Sequence, residues 1–405
     1  MGSPAHNEQP SYNYCALPLA SYACRPDQSR GRIHEEQESA SRTCFQRDRD
    51  RIIHCSAFRR LKYKTQVFVY HEGDHFRTRL SHTLEVAQIA RSMARALMVN
   101  EDLAETVALA HDLGHTPFAH TGEDVLERCM EAYDGFEHND QSLRVLIHLE
   151  ERYPEWKGLN LTWETLEGVV KHNGPIEGDD LPVTLQMLQS QTDLQLTTHA
   201  SVEAQVAALS DDIAYNNHDV EDGLRAGMFT LDDLEKLDLL GPIIDDTRNQ
   251  YPRISNKVLV HEVIREMIGA MVEDAIAETQ KRIDDVNPGD AEDIRNCGRQ
   301  VVAFSESMHE KVEELRAFLH ARMYRHYTIN RMRVKVERIV RDLFEAYMKR
   351  VSVLPDNWQR KVHEAGGSLN ETQQARVVCD YIAGMTDRYA IREHERLFNL
   401  YWDLK

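Results

Sequence analysis

No run of apolar residues in this chain reaches the roughly 18 that a membrane-spanning helix needs, so no transmembrane segment is expected. The opening stretch, MGSPAHNEQPSYNY, lacks a basic region followed by an apolar one, and a secretory signal is not expected either. Cysteine is sparse and scattered, at positions 15, 24, 44, 55, 129, 297 and 379, with no CxxC pair. That spacing argues against a zinc-thiolate site or a disulfide framework and for a reduced cytoplasm. Alternation of period two is absent over any long stretch, as is an internal repeat, which excludes most sheet and repeat architectures. Positive charge is also short: the formal net charge of −19 argues against broad, non-specific nucleic-acid binding. The basic residues present are clustered, however, with eleven Lys and Arg from Arg25 to Lys64 and nine from Arg322 to Arg350. Charges are screened over roughly 8 Å at physiological salt, so a distant acidic surface need not repel an anion from such patches.

What the sequence does contain is helical periodicity. The 405 residues, 41% of them hydrophobic, suffice for one large domain or two ordinary ones. Residues 1–44 read as a polar arm, ordered only if something packs on it. From Phe45 the apolar spacing turns helical, and an all-α fold is expected, with a helical core over 45–240 and further helices packed on it over 241–405. Val86, Ile89, Ala90, Met93 and Leu97 recur at steps of three and four across 80–98, and Leu103, Ala104, Val107 and Ala108 do so across 101–112. Gly114 and Pro117 then break the chain, and Thr121 with Asp124 resembles a capping box for the next helix. Helices are expected over 138–152, 162–172, 201–219, 256–283, 300–350 and 371–396, with an acidic loop at 284–293.

The stretch HDLGHTPFAHTGE, 111–123, sets three histidines and two acidic residues beside the apolar run LAETVALA. His82 falls on the stripe of Val86, Ile89 and Met93 and so faces the core. His111 lies four residues after Val107, on the apolar face of its own helix, and Asp112 follows at the helix end. Burying an ionised aspartate without a partner is costly, and a metal would supply that partner for two inward imidazoles as well. The helix over 201–219 adds Asp211, Tyr215 and Asp219 at i, i+4 and i+8, one face, next to an apolar stripe of Val202, Val206, Leu209 and Ile213. Two His and two Asp make a mixed N/O site for one divalent metal, and this ligand set does not choose among Mn, Fe, Mg, Co and Zn. A structural zinc site would more often use cysteine, so this one reads as catalytic, with open water positions.

His82, His-Asp at 111–112 and Asp211 resemble the His…His-Asp…Asp signature of the HD phosphohydrolase superfamily. Eight ordered segments carry the resemblance further: SRGR (29–32), FQRDRDRIIHCSAFRRLKYKTQVF (45–68), RTRLSHTLEVAQIAR (77–91), HDLGHTPFAHTGE (111–123), FEHNDQSLRVL (136–146), GLNLTWETLEGVVKHNG (158–174), SVEAQVAALSDDIAYNNHD (201–219) and DYIAGMTDRYA (380–390). Together they resemble the bacterial deoxyguanosine-triphosphate triphosphohydrolases (dGTPases) over most of the chain from about Tyr22.

That resemblance implies an HD-domain catalytic core over 45–240 and a reaction. Water splits a deoxynucleoside triphosphate (dNTP) at the bond between the α-phosphorus and the 5′ oxygen, giving the deoxynucleoside and triphosphate. The metal would polarise an α-phosphate oxygen and lower the pKa of the attacking water. His120 becomes the candidate proton donor to the leaving 5′ oxygen. Glu123 would orient its ring, His138 would complete the relay, and His115 would touch phosphate or the metal ligands. Arg79 resembles a phosphate-contacting position and Lys171 is a second candidate. Similarity also puts Tyr215 near the phosphates or sugar, Asp219 near the phosphate–metal cluster and Gln66 at the sugar 3′ hydroxyl. Arg316, His320 and Tyr324, at i, i+4 and i+8, resemble a nucleotide-facing helix. The family further implies a homo-oligomer (tetramer or hexamer) and an effector, a second nucleotide or single-stranded DNA. Two rivals share the fold: another HD nucleotidase or phosphodiesterase, and a non-catalytic nucleotide sensor or nucleic-acid-binding protein.

Overall fold

A computed structural model of the chain describes residues 18–66, 77–178, 181–366 and 370–402. The first seventeen residues of the polar arm, Cys15 among them, and Val67 and Phe68 lie outside the described residues.

Among the described residues the fold is all-α, as expected, with only two isolated bridges, Arg32 to Thr162 and Thr65 to Thr78. The first half runs α1 (Cys44–His54), α2 (Ser56–Arg60), α3 (Arg79–Ala96), α4 (Glu101–Ala110), α5 (Ala119–Met130), α6 (His138–Arg144), α7 (Trp163–Val170), α8 (Val183–Gln189) and α9 (Val202–Arg225). The second runs α10 (Leu231–Leu234), α11 (Leu240–Gln250), α12 (Asn256–Val286), α13 (Ala291–Asn296), α14 (Glu306–Leu319), α15 (Tyr327–Lys349), α16 (Asp356–Glu364), α17 (Glu371–Ala383) and α18 (Asp387–Phe398).

The site-bearing helices α3, α4 and α9 pack on one another, with α1 and α7 against α4 and α12 against α9. Each has a clear start. Thr78 caps α3 and shares a capping box with Ser81, the Asn100 side chain accepts from Leu103 N at α4, and Ser201 accepts from Ala204 N at α9. Fully buried Val86, Ala90, Met93, Leu103, Val107, Val206 and Ile213 fill the space between them. Each such side chain is stabilising by about 1.5–3 kcal/mol relative to exposure.

The buried apolar side chains form two clusters among the described residues. The larger one continues through Ile244, Met271 and Val312 to Met323. The smaller joins Val125, Leu126 and Met130 of α5 to Val340, Leu343 and Phe344 of α15 and to Val378 of α17. Helix α5 thus leaves the core that its neighbours share and serves the C-terminal region.

Several boundaries correct the sequence reading. Helix α5 begins two residues before Thr121, entered through Phe118 in the left-handed region (φ 66°) with no side-chain cap, so Thr121 and Asp124 are not its capping box. The expected helix over 300–350 is two helices: α14 ends in a widened π turn, His320–Tyr324, and α15 starts afresh with His326 as its cap. A second π turn, Val145–Leu149, follows α6. The 371–396 helix breaks between Ala383 and Asp387. The acidic loop is shorter than 284–293: α12 persists to Val286, Asn287 turns left-handed (φ 48°), and Asp290 caps α13. From Pro18 the arm is packed down. Tyr22 donates to Leu97 O at 3.0 Å, Ser29 and the Arg30 N–H both bond Glu164 at 2.7 Å, and Arg32 pairs with buried Asp48.

Two devices hold the 111–120 segment. Gly114 N donates to Ser142 Oγ (2.9 Å), which in turn donates to His111 O (3.0 Å), stitching the turn to α6. A Cβ at Gly114 would lie 2.1 Å from Ser142 N and 2.3 Å from His138 O. Gly114→Ala is therefore expected to destabilise by about 1–3 kcal/mol or more, the usual cost of overpacking, visible as a lowered melting temperature by circular dichroism. An unchanged melting temperature would contradict this close approach. The second device comes from the far end of the chain. The Lys64 ammonium donates to the carbonyls of His115 and Ala383, while Asp387 accepts from Thr65 N and Phe118 N, both at 2.9 Å.

Candidate metal and phosphate site

The four expected metal ligands come together. His82 Nε2 is 2.8 Å from Asp211 Oδ1, His111 Nε2 is 3.5 Å from the same oxygen, and His111 Nε2 is 3.5 Å from Asp112 Oδ1. His82, His111 and Asp211 offer donor atoms that all lie within 4.8 Å of one another. The fit to a cation is visible in what stays unpaired. His111 Nδ1 donates to Ala108 O at 2.6 Å, which leaves Nε2 with its lone pair turned to the cluster. That Nε2 and Asp112 Oδ2 are buried with no hydrogen-bond partner among the described residues. Buried polar atoms without partners are uncommon, and a divalent cation satisfies both at once.

Electrostatics favour the charged carboxylates here. Burial opposes ionisation of Asp112, but Arg79, His111 and His115 outweigh it and hold its carboxyl well below the usual range. Burial likewise opposes ionisation of Asp211, and His111, His172 and His82 outweigh it. Arg79, on the same α3 face as His82, donates to Asp112 Oδ1 at 2.6 Å and keeps a buried Nε without a partner.

The second expected group forms beside the first. His138 Nδ1 is 2.6 Å from Glu123 Oε1, and His120 Nδ1 is 3.6 Å from Glu123 Oε2. His115 connects the two groups: its Nε2 is 3.1 Å from Asp112 Oδ1, and its ring stacks on His138 with centroids 4.1 Å apart. Burial, then Arg79 and His138, push His115 well below its ordinary value, so it is neutral near pH 7. Burial pulls His138 down, but the Glu123 carboxylate outweighs it and raises it. Glu123 is held low by His120 and His138 against its own burial. The His120 side chain is 58% exposed, at the mouth of the group.

A third set lines α9 beyond Asp211. Tyr324 donates to Tyr215 Oη at 2.7 Å and is also bonded to Asp219. Burial, with Asp222 adding, raises Asp219 to about 8 against the Tyr324 hydrogen bond, so it is largely protonated at pH 7. The π turn is what delivers Tyr324 to α9. Arg316 also reaches α9, pairing with Asp212 Oδ1 at 2.9 Å, whereas His320 is exposed and touches Tyr324 only ring to ring at 6.4 Å. Gln66 is buried next to the Thr65–Thr78 bridge, and its Oε1 has no partner among the described residues.

Lys171 does not join this site. Its ammonium is taken up by Glu167 (3.2 Å) and Thr198 (2.9 Å), in a buried network that includes Arg295. The next residue turns inward instead: His172 Nε2 is 3.4 Å from Asp211 Oδ2, and its ring stacks on His111. The reason is local. Helix α7 ends at Val170, and Lys171, its C-cap, is still at i+4 from Glu167. His218 and Glu85 were also missed: His218 Nδ1 is 3.1 Å from His82 Nδ1, and its other nitrogen bonds Glu85. A signal existed for His218, which is seven residues past Asp211 and on its face.

Comparison with known proteins agrees with this geometry. Residues 79–216 match the HD domain and residues 302–396 the phosphohydrolase-associated domain. A deoxyguanosinetriphosphate triphosphohydrolase-like protein of Parvibaculum lavamentivorans is 54% identical over 387 residues, 94% of this chain and 97% of its own length. One of Caulobacter vibrioides is 54% identical over 95% of this chain and 97% of its own, and one of Mesorhizobium japonicum 51% identical over 98% and 99%. No helix among the described residues is long and apolar enough to cross a membrane. With relatives this similar over nearly their full length, and with the HD residues gathered at one buried site, the chain belongs to the deoxyguanosinetriphosphate triphosphohydrolase-like family of HD-domain proteins.

Proposed function

We propose that this HD-family hydrolase cleaves deoxynucleoside triphosphates, dGTP among them, to the deoxynucleoside and inorganic triphosphate. The observation that carries the reading is the pair of buried, unpartnered atoms, His111 Nε2 and Asp112 Oδ2, directly beside the Glu123–histidine group. A divalent metal held by His82, His111, Asp112 and Asp211 supplies Lewis-acid polarisation of a phosphoryl oxygen and a water acidic enough to attack near neutral pH. The chain's own groups do the rest. Arg79, buried and with a spare Nε donor, meets the phosphate charge. His115, neutral, positions phosphate from the Asp112 side. His120, whose Nδ1 faces Glu123, carries a proton on Nε2 to the departing 5′ oxygen as the bond to the α-phosphorus breaks. Glu123, clamped by His138, holds that ring in place. Tyr215, whose hydroxyl accepts from Tyr324, can offer its own proton along α9, and the raised Asp219 adds less negative charge there than an ordinary carboxylate. Gln66 Oε1, without a partner among the described residues, is an acceptor for the sugar hydroxyl.

The names of the relatives support the guanine nucleotide, and the exposed Arg331, Lys335 and Arg338, which share one face of α15, support a polyanionic effector or a second subunit on that face. The assignment is tested by incubating the purified protein with each dNTP and with GTP, in Mn or Mg, and resolving the products by chromatography. Inorganic triphosphate with a preference for dGTP over GTP is the expected result. Orthophosphate or a nucleoside monophosphate would assign a different bond, and equal turnover of dGTP and GTP would remove the deoxyribose preference.

A further inference from the structure

Glu85 and His218 belong neither to the ligand set nor to the proton relay, yet they stand in line behind one ligand. His82 turns Nε2 to Asp211 Oδ1 (2.8 Å) and Nδ1 to His218 Nδ1 (3.1 Å). The remaining nitrogen of His218, Nε2, is hydrogen-bonded to Glu85, three residues after His82 on α3. Arg77 Nε donates to that same Glu85 oxygen at 3.1 Å, so the carboxylate is held between two donors. The His82 and His218 rings meet edge to face, at 79° with centroids 5.2 Å apart.

The protons along this line are not independent. An imidazole that gives its Nε2 lone pair to a cation carries its proton on Nδ1. For His82 that proton points at His218 Nδ1, which must then be an acceptor, and His218 must carry its own proton on Nε2. Glu85 is the acceptor waiting there. Reversing any one hydrogen would put the His82 proton on Nε2, facing the cluster, and block ligation. His111 needs no such chain, because a backbone carbonyl, Ala108 O, accepts from its Nδ1.

We propose that Glu85 and His218 are positioning residues that lock His82 in its metal-binding tautomer and orientation, and so set metal affinity without touching the metal. This rests on the reading of His82, His111, Asp112 and Asp211 as the ligand set. Outer groups of this kind typically contribute about 10–100-fold in affinity.

The test is Mn(II) affinity of the full-length protein, read from the electron paramagnetic resonance signal of free Mn(II). His218→Phe keeps the ring but removes the acceptor, and should weaken Mn(II) binding by about 10–100-fold. His218→Gln, whose carboxamide oxygen accepts the His82 proton, should recover part of the loss. Glu85→Ala, which removes the acceptor, should weaken binding by a smaller factor and add nothing in the His218→Phe background. A merely structural role for His218 predicts a lower melting temperature of the metal-free protein with Mn(II) affinity unchanged, and that result overturns the proposal. If His218→Phe fails to fold, Glu85→Ala, at a more exposed position, decides alone: wild-type Mn(II) affinity there also overturns it. Asp211→Ala separates the two levels. Retained Mn(II) in that variant means the ligand set is wrong, whereas lost Mn(II) there with wild-type affinity in the other two means that only the relay fails.

Discussion

Replacing Asp211 with alanine should release the metal and reduce turnover by roughly 10³-fold or more, while helix content stays near normal. The size follows from Lewis-acid stabilisation worth several kcal/mol, at about 1.4 kcal/mol per tenfold in rate. Asp211 faces three imidazoles: His82 at 2.8 Å, His111 at 3.5 Å and His172 at 3.4 Å. Without it these buried rings share one fewer carboxylate, and Asp112 beside them is already paired with Arg79. Helix α9 itself rests on Val206, Leu209 and Ile213, none of which faces the cluster, so the fold survives. Metal per subunit and far-ultraviolet circular dichroism on the same sample check this, and stoichiometric metal in the variant would refute the ligand assignment.

His120→Ala should lower turnover by roughly 10²–10⁴, the usual range for a general acid or base, with metal content and substrate affinity little changed. A side chain 58% exposed contributes little packing, so a purely structural His120 predicts full turnover per folded molecule. Glu123→Gln should give a smaller loss in the same parameter, and the double variant should be strongly non-additive. The geometry adds a condition. Glu123 is nearer to His138 (2.6 Å) than to His120 (3.6 Å), so His138→Ala should loosen the carboxylate and lower turnover as well. Its effect on stability should depend on pH. The raised His138 contributes stability that is fully present below its unfolded value near 6.5 and is lost as pH rises through its folded value. The lowered Glu123 contributes stability present above 4.5 and lost as pH falls through its folded value. The melting-temperature gap between wild type and His138→Ala should therefore be widest between about pH 4.5 and 6.5 and narrow on the alkaline side. A gap independent of pH would sink the ion-pair account.

How far this site was legible depends on where regular helix stops. His82, Asp211, Tyr215 and Asp219 sit inside long helices, where a period of 3.6 places side chains on faces. All four are where that period puts them. The candidate ligands His111 and Asp112 at the end of α4 were legible because burial of a carboxylate demands a partner. Lys171 turns to Glu167 and Thr198 rather than to the cluster because it stands at the cap of α7, where the period ends and one residue decides which side chain turns inward. Thr121 was misread because Asp387, distant in sequence, anchors the Phe118 N–H and starts α5 early. Tyr324 reaches α9 through a π turn, which residue spacing does not announce. The break at Gly384–Thr386 interrupts an otherwise helical pattern and was read through.

The bonds from Asp387 to Thr65 and Phe118 span 322 and 269 residues of chain. On a ribosome, at roughly 5–20 residues per second, the anchor for the 111–120 segment is made on the order of tens of seconds after that segment. The buried Lys64 waits equally long for the Ala383 carbonyl, and burial with Arg60 and Arg79 already disfavours its charge. A nascent core can therefore pack α3, α4 and α9 while the 111–120 turn still lacks its Asp387 anchor. Synthesis interrupted before Asp387 leaves that segment without its Phe118 anchor, whatever the state of the helices around it.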